Sequence, residues 1–147
     1  GNTYVFPAGD GIGNAIHGLV IDRPWEVVEH TSKSVSAQIQ PSTNAPELQG
    51  RWPADFRVAV AFTLEATQLR MTVTVENTDE QPLPFGFGTH PYFRVPAEGD
   101  WSVTVPASTY WPLEAMLPTG EQLPVDSPRD LRKGRPFADT KLDDVLG

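Results

Sequence analysis

Phe56-Arg57-Val58-Ala59-Val60-Ala61-Phe62-Thr63-Leu64-Glu65 is followed after a short polar turn by Leu69-Arg70-Met71-Thr72-Val73-Thr74-Val75-Glu76. In the first segment Phe56, Val58, Val60, Phe62 and Leu64 alternate with smaller or polar residues; in the second, Leu69, Met71, Val73 and Val75 do the same. A period of two places every large apolar side chain on one face of a pleated strand, so the pair predicts an antiparallel hairpin with one buried face. Shorter alternating segments lie upstream, at Trp25 to His30 and Ser34 to Gln40, separated by the polar Thr31, Ser32 and Lys33. They predict a second hairpin. Downstream, Trp101, Val103 and Val105 alternate before Pro106, and Ser108 to Trp111 reads as an edge strand ended by Pro112. Tyr4 with Val5 and Leu142 to Leu146 read as strands near the two ends. The stretch from Pro118 to Phe137, rich in proline and charge, reads as an extended excursion over the surface with a turn at Thr119 and Gly120. No segment carries a helical apolar stripe. Short strands in series with turn signals between them predict an all-β antiparallel sandwich or barrel.

Composition agrees. Fifteen prolines and twelve glycines in 147 residues suit many short strands and turns rather than a helical bundle. The length fits one compact domain. A formal charge of −8 argues against nucleic acid or an anionic membrane as partner, because a phosphate backbone requires a basic face. The absence of cysteine excludes a disulfide framework and a thiolate metal site and fits a reducing cytoplasm. No apolar run has the length of a membrane span, and no signal-peptide pattern is visible.

Three stretches carry candidate chemistry. Pro84-Phe85-Gly86-Phe87-Gly88-Thr89-His90-Pro91-Tyr92-Phe93 concentrates aromatics, glycines and one histidine. Aromatic faces stack on the C–H faces of a sugar ring, glycine permits close backbone approach, and histidine as a residue type exchanges protons near neutral pH. The same composition also describes a core aromatic strand with an incidental histidine, and the residues alone leave both readings open. Asn14-Ala15-Ile16-His17-Gly18-Leu19 follows the flexible Gly9 to Gly13 loop, where His17 can bond either a ligand hydroxyl or nearby backbone. Asp143 and Asp144 follow Leu142; in a strand they point to opposite faces, so at most one of them faces any given pocket.

Other chemistries fall away. Gly9, Gly11 and Gly13 lack the following helix and final glycine of a dinucleotide loop, since Asn14 stands in that place. His17, His30 and His90 have no metal-ligand spacing, and there is no G-x-S-x-G elbow. Trp25 and Trp101 lie in alternating patterns that predict core packing; Trp52 and Trp111 are left open as core or sugar-stacking residues.

Taken in order, the segments resemble the aldose 1-epimerase (galactose mutarotase) family. The resemblance runs through His17-Gly18, Trp52-Pro53 with Phe56-Arg57, Asn77-Thr78, and Gly88-Thr89-His90-Pro91-Tyr92-Phe93. It continues through Leu117-Pro118-Thr119-Gly120-Glu121 and Gly134-Arg135-Pro136-Phe137 to Leu142-Asp143-Asp144. It implies a single mutarotase-like β-sandwich domain over residues 1–147, with a concave face for an aldohexose, and a reaction that interconverts α and β anomers without cofactor or metal. In the family, the histidine matching His90 is the general acid on the ring oxygen. The one matching His17 hydrogen-bonds the sugar, and the aspartate matching Asp143 holds hydroxyls. The family's general-base glutamate lies well beyond the aspartate matched by Asp143, and its pocket arginine lies before Gly1. The resemblance therefore reads this chain as an internal fragment of a longer protein, with exposed sheet edges prone to self-association. Two alternatives stay open at this level: a carbohydrate-binding or sensing module that has lost the chemistry, and a sugar-phosphate epimerase, for which Arg23 is the nearest cation.

Overall fold

The computed structural model describes residues 2–95 and 98–147. The chain divides into two compact units, residues 1–88 and 89–147. All strand pairs among the described residues are antiparallel. The all-β antiparallel class read from the sequence is therefore the class of the protein.

The first unit is built on one four-stranded sheet. Its strands are β1 (Glu26–His30), β2 (Ser34–Ile39), β3 (Phe56–Glu65) and β4 (Gln68–Asn77), in spatial order β1-β2-β3-β4. Both hairpins expected from the alternation are present. In the β3–β4 pair, Val58 faces Val75, Val60 faces Val73, Phe62 faces Met71 and Leu64 faces Leu69, so these apolar residues meet directly across the ladder, while Phe56 faces Asn77. The register of β1 on β2 shifts between Val27 and Glu29, a bulge that twists this edge.

Between β2 and β3 the chain makes a short helix, α1 (Pro41–Asn44), and a 3-10 turn at Pro46–Leu48. Pro41 at the first helical position costs no hydrogen bond and fixes φ for the turn. Pro41, Ala45 and Leu48 are the buried positions of this segment, at i, i+4 and i+7, and they form a helical stripe that the proline-broken sequence conceals. Ala45 and Leu48 close on Ile39 and Val58 to make the core, flanked by Leu19, Val20, Trp25, Phe56, Val60, Val73 and Val75. Ile39 is completely buried. Trp25 packs here as expected, with its Nε1–H donating to the Val20 carbonyl at 3.1 Å. Among the described residues, Phe62, Leu64, Leu69 and Met71 at the other end of the same sheet face are exposed.

The second unit contains short strands. β5 (Ser102–Val103) pairs with β10 (Arg135–Pro136), and β7 (Leu113–Glu114) pairs with β8 (Leu117–Pro118). A three-stranded sheet has the order β11 (Val145–Leu146), β6 (Thr109–Trp111), β9 (Leu123–Pro124). The loop between β7 and β8 is the two residues Ala115 and Met116, both at positive φ (48° and 66°), the geometry a type I′ turn demands.

Four expectations are corrected. Tyr4 and Val5 form no strand, because no described backbone pairs with them; Tyr4 and Phe6 instead pack their rings on Trp52, at centroid distances of 6.4 and 5.1 Å. Ser108 to Trp111 yields the central strand of its sheet, not an edge, because β9 and β11 flank it. The stretch from Pro118 to Phe137 is more than a surface excursion, since β9 and β10 within it pair back onto β6 and β5. Trp101 is 46% exposed and so is no core residue. No helix among the described residues is long and apolar enough to cross a membrane.

Candidate functional site

The loop before His17 is shaped by one carboxylate. Asp10 Oδ1 accepts the backbone N–H groups of Ile12, Gly13 and Asn14 at 2.8–3.0 Å, and the Gly9 N–H closes the loop on the Asn14 carbonyl at 2.9 Å. The N–H groups that a phosphate would need in a glycine-rich cradle are thus already engaged by the chain's own aspartate. The loop leads to His17 at φ 60° and Gly18 at φ 74°, two consecutive residues in the left-handed region. A histidine there is uncommon and stores local strain of about 1–3 kcal/mol, a cost found disproportionately at ligand-binding positions.

The stretch bearing His90 lies across the boundary between the units, which falls after Gly88. None of residues 82–95 is in a strand. Phe85, Phe87, Tyr92 and Phe93 are all exposed, the last two at 91% and 83%, so the reading of this segment as a buried aromatic strand is overturned. Within the second unit the His90 ring lies 5.0 Å from the Tyr92 ring, inclined by 34°. Within the first, the approach to the motif is tied down at two points. Trp52 Nε1–H donates to the Pro84 carbonyl at 2.8 Å, which accounts for the tryptophan that the sequence left open.

The second tie is Asp55. Its Oδ2 accepts Gln40 Nε2 (2.7 Å), Ser42 Oγ (2.7 Å) and Thr78 Oγ1 (2.9 Å), and its Oδ1 accepts the Ser42 N–H (3.1 Å). Asp79 receives the Asp55 N–H in turn at 3.3 Å. Desolvation pushes the Asp55 carboxyl up, but the bonds from Ser42, Gln40 and Thr78 outweigh it and hold the group below the usual carboxylate range. Around it lies a cavity of about 220 Å³ walled by Leu48, Trp52, Pro53 and Phe56 together with Asp55 and Asp79. Both of its acids accept several hydrogen bonds from the chain, Asp55 four and Asp79 those of the Asp55, Glu80 and Gln81 N–H groups, so they act as braces. Nothing along the chain singles out Asp55, since an isolated aspartate after Trp-Pro-Ala is an ordinary loop residue.

The paired acids are resolved by the alternation of residues 142–147. Leu142, Asp144 and Leu146 are half-buried, whereas Asp143 and Val145 are exposed. Asp144 accepts Arg129 Nε at 2.6 Å, while among the described residues no hydrogen bond or ion pair engages Asp143. Of the sequence candidates, His90 and Asp143 therefore lie in the second unit and His17 in the first. Arg23, the cation nearest to His17 in sequence, is engaged by Asp22 at 3.3 Å and Glu47 at 3.2 Å.

Comparison with known proteins places these features in a family. The sequence profile of the family described as Aldose 1-epimerase matches residues 1–146. A galactose mutarotase of Pongo abelii is 34% identical over 127 residues, covering 82% of this chain and 36% of that protein. The Homo sapiens galactose mutarotase is 32% identical over 127 residues, with the same coverage of 82% and 36%. That of Sus scrofa is 31% identical over 140 residues, covering 90% of this chain and 40% of that protein. The chain thus spans well under half the length of these relatives, and it belongs to the aldose 1-epimerase family.

Proposed function

We propose that the protein carrying this chain interconverts the α and β anomers of a free aldohexose by acid–base ring opening. The observation that carries the reading is the family match, which spans His17, His90 and Asp143 together. His90 protonates the ring oxygen while a base removes the proton of the anomeric hydroxyl; the C1–O5 bond breaks, the aldehyde rotates, and the hydroxyl recloses on the other face. His17 donates to a sugar hydroxyl, and Asp143 accepts bonds from two. The base is not assigned among residues 1–147. In this reading the 147 residues form part of one sandwich domain, acting in the cytoplasm on a neutral sugar. Arg23 already has two carboxylates beside it, those of Asp22 and Glu47, which weighs against a phosphorylated substrate held beside His17.

The test is polarimetry on fresh α-D-galactose and α-D-glucose. The protein is expected to accelerate the change in optical rotation well above the spontaneous rate and to favour glucose over glucose 6-phosphate. No acceleration, or a preference for the phosphate ester, rejects the reading. Sugar binding by titration without any rate effect replaces it with a binding module.

A further inference from the structure

Alternation alone sets Asp143 and Asp144 on opposite faces without saying which turns outward; in the second unit Asp144 belongs to a network centred on Arg129. Arg129 sits in a turn held by Asp126, with the Arg129 and Asp130 N–H groups donating to the Asp126 carbonyl at 3.0 and 2.9 Å. Its guanidinium lies over the Tyr110 ring, 4.3 Å from the centroid, and bonds two carboxylates: NH1 to Asp126 Oδ2 and Nε to Asp144 Oδ1, each at 2.6 Å. Tyr110 belongs to β6, which pairs with Leu146 of β11 two residues beyond Asp144. The arginine therefore bridges the central strand and the residue that leads into its neighbour. The Asp144 side chain is only 21% exposed, so the pair is partly shielded from water.

We propose that Arg129 is a positioning residue for Asp143. Consecutive side chains of an extended segment project to opposite faces. With Asp144 held inward by the guanidinium, Asp143 is turned outward, and rotating it inward requires breaking both the ion pair and the β11–β6 pairing. The same contact removes the second carboxylate from competition, so that a polyol meets one acceptor with free lone pairs instead of two repelling anions. Planar guanidinium geometry suits this task, because one side chain can serve two carboxylates and stack on an aromatic ring at once. The inference rests on the reading of Asp143 as the group that holds substrate hydroxyls.

The experiment measures KM and kcat for D-galactose by polarimetry in the protein carrying this chain, with Arg129→Met, Arg129→Lys, Asp143→Asn and the Arg129→Met/Asp143→Asn double variant. Arg129→Met is expected to raise KM roughly tenfold, the scale of coupling between residues in one ion-pair network, with kcat little changed. Arg129→Lys recovers part of the loss. Asp143→Asn raises KM as well, and in that background Arg129→Met adds nothing, a non-additivity that a merely structural role does not produce. Thermal melts check that each variant folds; should Arg129→Met fail, Arg129→Lys must still raise KM. A silent Asp143→Asn overturns the hydroxyl-holding role itself. A raised KM for Asp143→Asn with both Arg129 variants silent, or with additive effects in the double variant, overturns the positioning role alone. A wild-type protein that neither binds D-galactose nor accelerates its mutarotation overturns both.

Discussion

Replacing Asp55 by alanine removes the acceptor for four donors from three residues: Gln40, Ser42 and Thr78. A hydrogen bond to a charged group contributes about 1.5–3 kcal/mol when its loss strands a buried partner. Here the site is partly open, water can replace part of the lost bonding, and four bonds to one carboxylate are not additive. The expected cost is therefore about 2–4 kcal/mol, well below the sum. Asp55→Asn retains one carbonyl oxygen for the three donors at Oδ2, but its amide nitrogen then confronts the Ser42 N–H, so about half of the loss is expected. The pH dependence has a definite sign. The folded carboxyl titrates below its unfolded value of about 3.9, so its contribution is fully present above that pH and disappears as pH falls through the folded pKa. Urea unfolding of wild type and both variants, followed by far-UV circular dichroism at pH 7 and again near pH 3, measures this. A cost below about 0.5 kcal/mol for Asp55→Ala at neutral pH refutes the brace. So does a difference from wild type that is as large at pH 3 as at pH 7. Since the same segment also donates from Trp52 to Pro84, the variant is further expected to loosen residues 78–84, read as faster amide exchange there.

Three further outcomes are expected. His90→Gln, which keeps a polar side chain but cannot act as a general acid, should lower the mutarotation rate by about 10²–10⁴-fold with little effect on thermal stability, and an unchanged rate removes His90 from the chemistry. Ala115 and Met116 occupy the two positive-φ positions of the β7–β8 loop, so Ala115→Asn with Met116→Gly should stabilise the protein by about 1–2 kcal/mol in urea melts; destabilisation argues against a type I′ turn. The outer edge of β4 and the exposed Phe62, Leu64, Leu69 and Met71 should drive concentration-dependent association of the 147-residue chain, visible in sedimentation velocity and reduced by Leu69→Lys with Met71→Lys; a chain that stays monomeric at high concentration rejects this.

The all-β class and both hairpins were legible in the chain itself, because a period of two is a local property: Val58 and Val60 declare their face whatever lies opposite. The two histidines and the acid pair were legible as candidates for the same reason, since residue type and neighbours are written along the chain. Tertiary structure decided what depends on partners distant in sequence. Pro41, Ala45 and Leu48 are too few and too interrupted by proline to announce a helical face, yet Ile39 and Val58 close on that face to make the core. Asp55 became a hub only when Gln40, Ser42 and Thr78 folded around it. The choice between Asp143 and Asp144 was beyond any local rule, because alternation states that they diverge but not which one turns outward. In the structure Asp143 is exposed and Asp144 is half-buried against Arg129, a partner fifteen residues earlier in the chain that no local pattern names.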